Sequence, residues 1–171
     1  ARSGAVAVAE TADVSHAEGA GRVVERALAE FGRLDILVNN AAITRDAPLE
    51  AMTEADWDAV LGGNLRAAFL CCQRAVPPMA ARRHGRIVNI GSRAWLGGTG
   101  QFNYAASKGG LIALTRTLAL EMAGRQITVN AIAPSTIDAP LLHAAPAEVR
   151  EQMVASVPVG RIGQPADVAW A

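Results

Sequence analysis

Short apolar runs alternate along the chain with stretches in which apolar residues recur every three or four positions. That alternation predicts a parallel sheet whose strands are joined by covering helices. Ala5–Ala9 (AVAVA) reads as a strand ending near Asp13-Val14, and Ile36–Asn40 (ILVNN) as a second. Ile87–Ser92 (IVNIGS) reads as a third and Ile127–Ala133 (ITVNAIA) as a fourth. Between the first two, Ala20, Val23, Val24, Ala27, Leu28 and Phe31 share one helical face. Thr53 followed by Asp56 resembles a capping box that opens another helix. That helix meets Gly62-Gly63, where each glycine costs roughly 1 kcal/mol relative to alanine, which predicts a kink at Asn64. Beyond the kink it continues through Arg66–Ala81. Asn103–Met122 reads as a long helix with Leu111, Leu114, Leu118 and Met122 on one side, and the tail holds a short helix near Ala147–Ser156.

The 171 residues are 51% apolar and 19% charged, which suits one domain over residues 1–171 with a real core. Sixteen basic and sixteen acidic residues cancel, so no strong positive field is available for nucleic acid or an anionic membrane surface. Aromatic residues make up 4%, too few for a base-stacking surface. Cys71 and Cys72 are adjacent within a helical pattern, point in different directions and cannot staple distant segments. They read as packed thiols in a reducing compartment. No apolar run reaches the ~18 residues of a membrane span and no signal peptide is visible, so a cytoplasmic location is expected. No residue is assigned to a metal.

Candidate chemistry centres on Tyr104-Ala105-Ala106-Ser107-Lys108. Residues four apart on a helix share a face, so the phenol and the ammonium lie close together. A nearby cation favours phenolate, which predicts a lowered tyrosine pKa and proton exchange near neutral pH. Taken alone, a Tyr-x-x-x-Lys is more often an exposed helix face.

Its surroundings change that reading. The segment Gly85–Lys108, GRIVNIGSRAWLGGTGQFNYAASK, resembles the active-site block of the short-chain dehydrogenase/reductase family, with Ser92 twelve residues before Tyr104. Asn39-Asn40-Ala41-Ala42 is similar to the family's Asn-Asn-Ala-Gly, and Asn64 stands in GGNLRAAF where the family has its helix asparagine. DILVNN and ITVNAIAP match the flanking strands, so the resemblance covers essentially the whole chain. It implies an α/β fold, a Rossmann-like parallel sheet with helices on both faces. That sheet is incomplete here, without the first two strands and the last one. The family's first strand, its Thr-Gly-x-x-x-Gly-x-Gly turn and its second strand would precede Ala1, and both chain ends read as cuts. With those strands missing, Ala5–Ala9 is expected to pair directly with Ile36–Asn40. The sheet order is then Ala5–Ala9, Ile36–Asn40, Ile87–Ser92, Ile127–Ala133, all parallel.

The resemblance also implies a proton relay on a ketone or secondary alcohol, with NAD or NADP as cofactor. In that relay Tyr104 is the general acid of reduction, and Lys108 lowers its pKa and bonds the nicotinamide ribose. Ser92 donates to the substrate carbonyl, and Asn64 holds a water that extends the relay. Cofactor contacts are expected from Asp13, Val14, Asn40, Ala41, Tyr104, Lys108, Pro134 and Ile137. The chain departs from the family at Ser135, where glycine is usual, and at Ala139, where a threonine hydroxyl is usual. The segment NNAAITRD is close to the NNAGITRD of 3-oxoacyl thioester reductases, in which basic helix ends face an acyl carrier protein. Arg83 and Arg125 match those places, although arginines at helix carboxyl ends equally answer the macrodipole. A homotetramer through Arg66–Ala81 and Asn103–Met122 follows from the same resemblance. Two other readings stand beside it: another secondary-alcohol dehydrogenase of the family, or a non-catalytic piece without a pyrophosphate loop. A serine hydrolase built on Ser92 fits poorly, because no Gly-x-Ser-x-Gly elbow surrounds it.

Overall fold

The computed structural model describes residues 4–143 and 146–171. Helix α1 (Ala17–Phe31) leads into strand β1 (Ile36–Asn39), followed by α2 (Glu54–Leu61), a π-helical turn (Gly62–Arg66) and α3 (Ala67–Ala81). Next come β2 (Gly85–Ile90), α4 (Phe102–Met122) and β3 (Ile127–Ile132). Three shorter helices complete the chain, α5 (Pro140–His143), α6 (Ala147–Ala155) and α7 (Pro165–Ala169). Among the described residues no helix is long and apolar enough to cross a membrane.

The three strands are parallel in the order β1-β2-β3, with Val38 beside Val88 and Val88 beside Asn130. Parallel neighbours need a crossover, which α2 with α3 supplies for the first pair and α4 for the second. Alternate strand residues Ile87, Ile127 and Val129 form one core with Val24 of α1, Cys72, Ala75 and Met79 of α3 and Met122 of α4. On the other side of β1, Ile36 and Val38 remain 60% and 54% exposed.

The expected strand at Ala5–Ala9 does not form, and Val6 is 75% exposed. The cause lies just downstream. Glu10 pairs with Arg22, whose guanidinium also donates to the Thr11 carbonyl, so the segment is tied to α1. Asp13 lies so close to α1 that a Cβ on Gly19 would collide with its carbonyl. Helix α1 is in turn seated on α3 through Ala20, Leu70 and Cys71. The segment therefore cannot slide across to β1, and the four-stranded order is replaced by three strands with β1 as an apolar edge.

Smaller differences cluster where the chain turns toward the site. Thr53 caps α2 as expected, its Oγ1 accepting the Asp56 N–H at 3.1 Å. Gly62-Gly63 opens a π turn rather than a break, and the Ala67 N–H reaches back to the Gly62 carbonyl. Such turns widen a helix at one point and recur at functional sites. Helix α4 packs on this turn so closely that a Cβ on Gly110 would meet the Leu65 side chain at 2.7 Å. Strand β2 stops at Ile90, and Ser92 instead caps a 3₁₀ turn (Arg93–Leu96), its Oγ accepting the Ala94 N–H at 3.1 Å.

Candidate active site

Parallel strands in register end at one edge of the sheet, and the loops that follow them gather there. Ser92 lies two residues beyond β2, and Gly91 just before it donates to the Ile132 carbonyl at 2.7 Å. The Arg93 N–H donates to the Pro134 carbonyl at 2.9 Å, which ties the loop after β3 to the serine turn. Tyr104 occupies the first turn of α4 and Lys108 the next. The lysine is 3% exposed, donates to the Ile90 carbonyl at 2.7 Å and stands 5.6 Å from the centre of the Tyr104 ring.

This geometry reverses one expectation. Burial pushes the Tyr104 phenol above its ordinary value, the Ser92 hydroxyl bonding to it pulls the other way, and the charge of Asp46 adds to the rise. The ammonium sits over the ring as a cation–π contact rather than at the hydroxyl, so it does not offset burial. Burial also drives Lys108 down to about 8. The phenol therefore keeps its proton at neutral pH. Ser92 Oγ accepts from Ala94, and its one hydroxyl proton is the group that acts on the phenol.

Asn64, in the π turn, is 3% exposed, and its side chain is committed to protein partners. Its Oδ1 accepts the Ile43 N–H at 2.8 Å, and its Nδ2 donates to the Ile43 carbonyl at 3.0 Å and to Ser107 Oγ at 3.1 Å. Ser107 then donates to the Tyr104 carbonyl at 2.8 Å. The expected water-holding asparagine is thus first a brace between the loop after β1 and the turn that carries the tyrosine.

The expected cofactor residues divide. Asn40 and Ala41 are exposed just beyond β1, and Pro134 adjoins the Ser92 turn. Ile137 bridges to Gly163, with the Asp138 N–H on the Gly163 carbonyl at 2.8 Å. Asp13 accepts from Ser15 N at 2.9 Å and Ser15 Oγ at 2.6 Å, with His16 Nδ1 at 3.1 Å. Those Ser15 bonds, joined by His16, hold its carboxylate below the usual range. Val14 packs on the small cluster of Ala20, Leu70 and Cys71. No hydrogen bond among the described residues links Asp13-Val14 to the Ser92–Tyr104–Lys108 cluster.

Several site residues escape a reading of the sequence. Asn103 is fully buried beside Tyr104. Asn39 donates to Asn89 Oδ1 at 2.8 Å and Asn89 to Thr115 Oγ1 at 2.8 Å, which pins the ends of β1 and β2 to α4. A signal for this ladder exists, since Asn89 shares the core-facing period of Ile87 and Thr115 stands four beyond Leu111.

A parallel sheet with Ser92, Tyr104 and a buried Lys108 gathered at its carboxyl edge defines the class of Rossmann-like proteins with a tyrosine centre. The whole chain, residues 1–171, matches the family described as Enoyl-(Acyl carrier protein) reductase. It belongs to the short-chain dehydrogenase/reductase family. It is 49% identical over 148 residues to the 3-oxoacyl-(acyl-carrier-protein) reductase FabG of Thermotoga maritima, a match covering 86% of this chain and 60% of that protein. It is 42% identical over 158 residues to the (2S)-[(R)-hydroxy(phenyl)methyl]succinyl-CoA dehydrogenase subunit BbsD of Thauera aromatica, covering 92% and 64%. The 3-oxoacyl-(acyl-carrier-protein) reductase FabG of Staphylococcus aureus is 43% identical over 159 residues, covering 92% and 65%. The chain thus spans 60–65% of the length of these relatives.

Proposed function

We propose that the protein is an NAD- or NADP-dependent oxidoreductase that interconverts a ketone and a secondary alcohol, with 3-oxoacyl thioesters as its substrate class. The observation that carries this reading is the half-buried Tyr104 phenol at the carboxyl edge of the sheet, with the Ser92 hydroxyl acting on it and Lys108 beneath the ring. A phenol held above its ordinary pKa keeps its proton at neutral pH, which is the form a general acid needs. Ser92 turns its hydroxyl proton from the phenol to the substrate oxygen and polarises the carbonyl. Tyr104 then donates its proton to that oxygen as the alcohol forms. In the reverse direction Tyr104 must first lose its proton, so oxidation is favoured at higher pH.

The donor set fits a dinucleotide. The Lys108 ammonium has three hydrogens and one protein partner among the described residues, the Ile90 carbonyl, which leaves donors for ribose hydroxyls. Asn40, Ala41 and Pro134 at the loop ends would line the nucleotide, with Ile137 over the nicotinamide and Asp13-Val14 toward the adenine. When bound, the reduced nicotinamide supplies a hydride to the carbonyl carbon.

The substrate class is supported by relatives named for acyl-carrier-protein and CoA derivatives. Arg83 Nη2 donates to the Gly124 carbonyl at 3.2 Å, which brings it beside the turn that holds Arg125. Together with exposed Arg82 and Arg86, these form a cationic patch suited to an acidic carrier protein. A groove of about 490 Å³ between α3 and α4, lined by Phe69, Val76, Leu114 and Leu118, suits packing against a second copy in a homotetramer. The buried free thiols Cys71 and Cys72 accord with a reducing cytoplasm. Assay of the complete protein with a 3-oxoacyl thioester and with a carrier-free ketone, each with NADH and NADPH, tests the reading. Faster turnover of the thioester supports it. Preference for the free ketone moves the assignment to another secondary-alcohol dehydrogenase of the family, and no turnover with either overturns it.

A further inference from the structure

Asn103 has no exposed surface, and its side chain binds three separate segments. Its Oδ1 accepts the Tyr104 N–H at 2.7 Å, one of the donors that a helix start leaves without an intrahelical partner. Its Nδ2 donates to the Arg45 carbonyl at 3.0 Å, in the loop after β1, and to the Asp56 carbonyl at 3.2 Å, in α2. Neighbouring contacts reinforce the same seam. The Ala47 N–H donates to the Gly100 carbonyl at 2.8 Å, and Gln101 Nε2 donates to Asp46 Oδ2 at 3.2 Å. Trp57 and Phe102, each next in sequence to one of the tied residues, bring their rings within 5.9 Å of one another.

We propose that Asn103 is a positioning residue for Tyr104, clamping the first turn of α4 to the loop 43–47 and to α2 so that the phenol faces Ser92 with Asp46 held beside it. The clamp acts on the backbone of the tyrosine itself, at the residue next to it. It complements the Asn64–Ser107 brace, which holds the other backbone group of the same residue, the Tyr104 carbonyl. The inference builds on the assignment of Tyr104 as proton donor, but its consequence can be read without turnover.

The charged groups on the elements around the phenol are Lys108, Arg116 and Glu121 on α4, Arg45 and Asp46 on the loop, Glu54, Asp56 and Asp58 on α2, and Arg93 beside Ser92. Of these, Lys108 sits over the ring, Asp56 accepts the Thr53 hydroxyl at 2.6 Å, and Asp46 is the one whose charge acts on the phenol. Releasing the clamp lets water reach the phenol and lets Asp46 move away. Both changes favour the phenolate and lower the tyrosine midpoint.

Tyr104 is the one tyrosine in these 171 residues, so its ionisation can be followed directly by tyrosinate absorbance, with Tyr104→Phe as the blank in the complete protein. The expected result is a midpoint above the ordinary value in the parent and a downward shift in Asn103→Ser. In turnover, kcat of that variant falls by about tenfold or more while the substrate KM changes little, as misplacement of a reacting group requires. An unchanged midpoint in Asn103→Ser, with only a lower Tm, assigns Asn103 to stability alone and overturns the proposal. Should Asn103→Ser fail to fold, Asp46→Asn at an exposed position gives the second reading. Its midpoint must also shift downward, and an unshifted midpoint there overturns the proposal. Loss of the catalytic assignment shows separately, as unchanged turnover in Tyr104→Phe.

Discussion

Asn64 donates to Ser107 Oγ across 3.1 Å, and through that contact the π turn before α3 is fastened to the turn of α4 that carries Tyr104. Asn64→Ala removes this bond and both bonds to Ile43, leaving buried Ser107 and two part-buried backbone groups without these partners. A loss of about 2–3 kcal/mol is expected, since each unsatisfied buried group costs roughly 1–3 kcal/mol and relaxation recovers part of the sum. Urea denaturation should show a lower midpoint with an unchanged slope. A loss within about 0.5 kcal/mol, the scale of a surface change, would show that the brace contributes nothing.

Lys108 carries a cost as well as a role. Its folded pKa of about 8 lies below the ordinary 10.5, so the unfolded chain binds more protons between those pH values and stability rises with pH across that window. The deficit is fully present below pH 8 and disappears toward 10.5. Lys108→Met, which fills the space without the charge, should therefore raise stability by about 1–2 kcal/mol at neutral pH. That gain should shrink as the pH rises through the window, while activity is lost. Thermal melts at several pH values check this, and a gain that stays constant with pH would contradict it.

The ladder Asn39–Asn89–Thr115 predicts energetic coupling. Asn89 is fully buried and Thr115 is 5% exposed, so Asn89→Ala and Thr115→Val should each cost about 1–3 kcal/mol. The double variant should lose less than the sum of the two single losses, because that sum counts one shared bond twice. Strict additivity in denaturation would show that the bond between them contributes no stability.

Much of this arrangement was legible in the sequence, and what was hidden has physical causes. The short apolar runs at Ile36–Asn39 and Ile87–Ile90, and the helical face of α1, gave the strands and helices to within a few residues. The four-residue spacing placed Tyr104 and Lys108 together, as they stand at 5.6 Å, while Ser92 was legible only through the family resemblance. The apolar run Ala5–Ala9 could not say whether a partner ladder was within reach, and the ties of Glu10 and Thr11 to α1 decided that it was not. Likewise, a four-residue spacing reports that Tyr104 and Lys108 are neighbours but says nothing about burial, and burial sets the direction of both pKa values. Asn103 stayed hidden because one asparagine at a helix start reads as a cap. Its ties to Arg45 and Asp56 depend on segments 58 and 47 residues away in the chain.

The central claim, that Tyr104 delivers the proton to the substrate oxygen, is tested most directly by single-turnover reduction of a 3-oxoacyl thioester in the complete protein and its Tyr104→Phe variant. Phenylalanine keeps the ring above Lys108 and removes only the donor. The account predicts unimpaired cofactor binding with a rate of reduction lower by ~10²–10⁴-fold, the usual worth of general acid assistance. A Tyr104→Phe protein that reduces the thioester within about tenfold of the parent rate would contradict it.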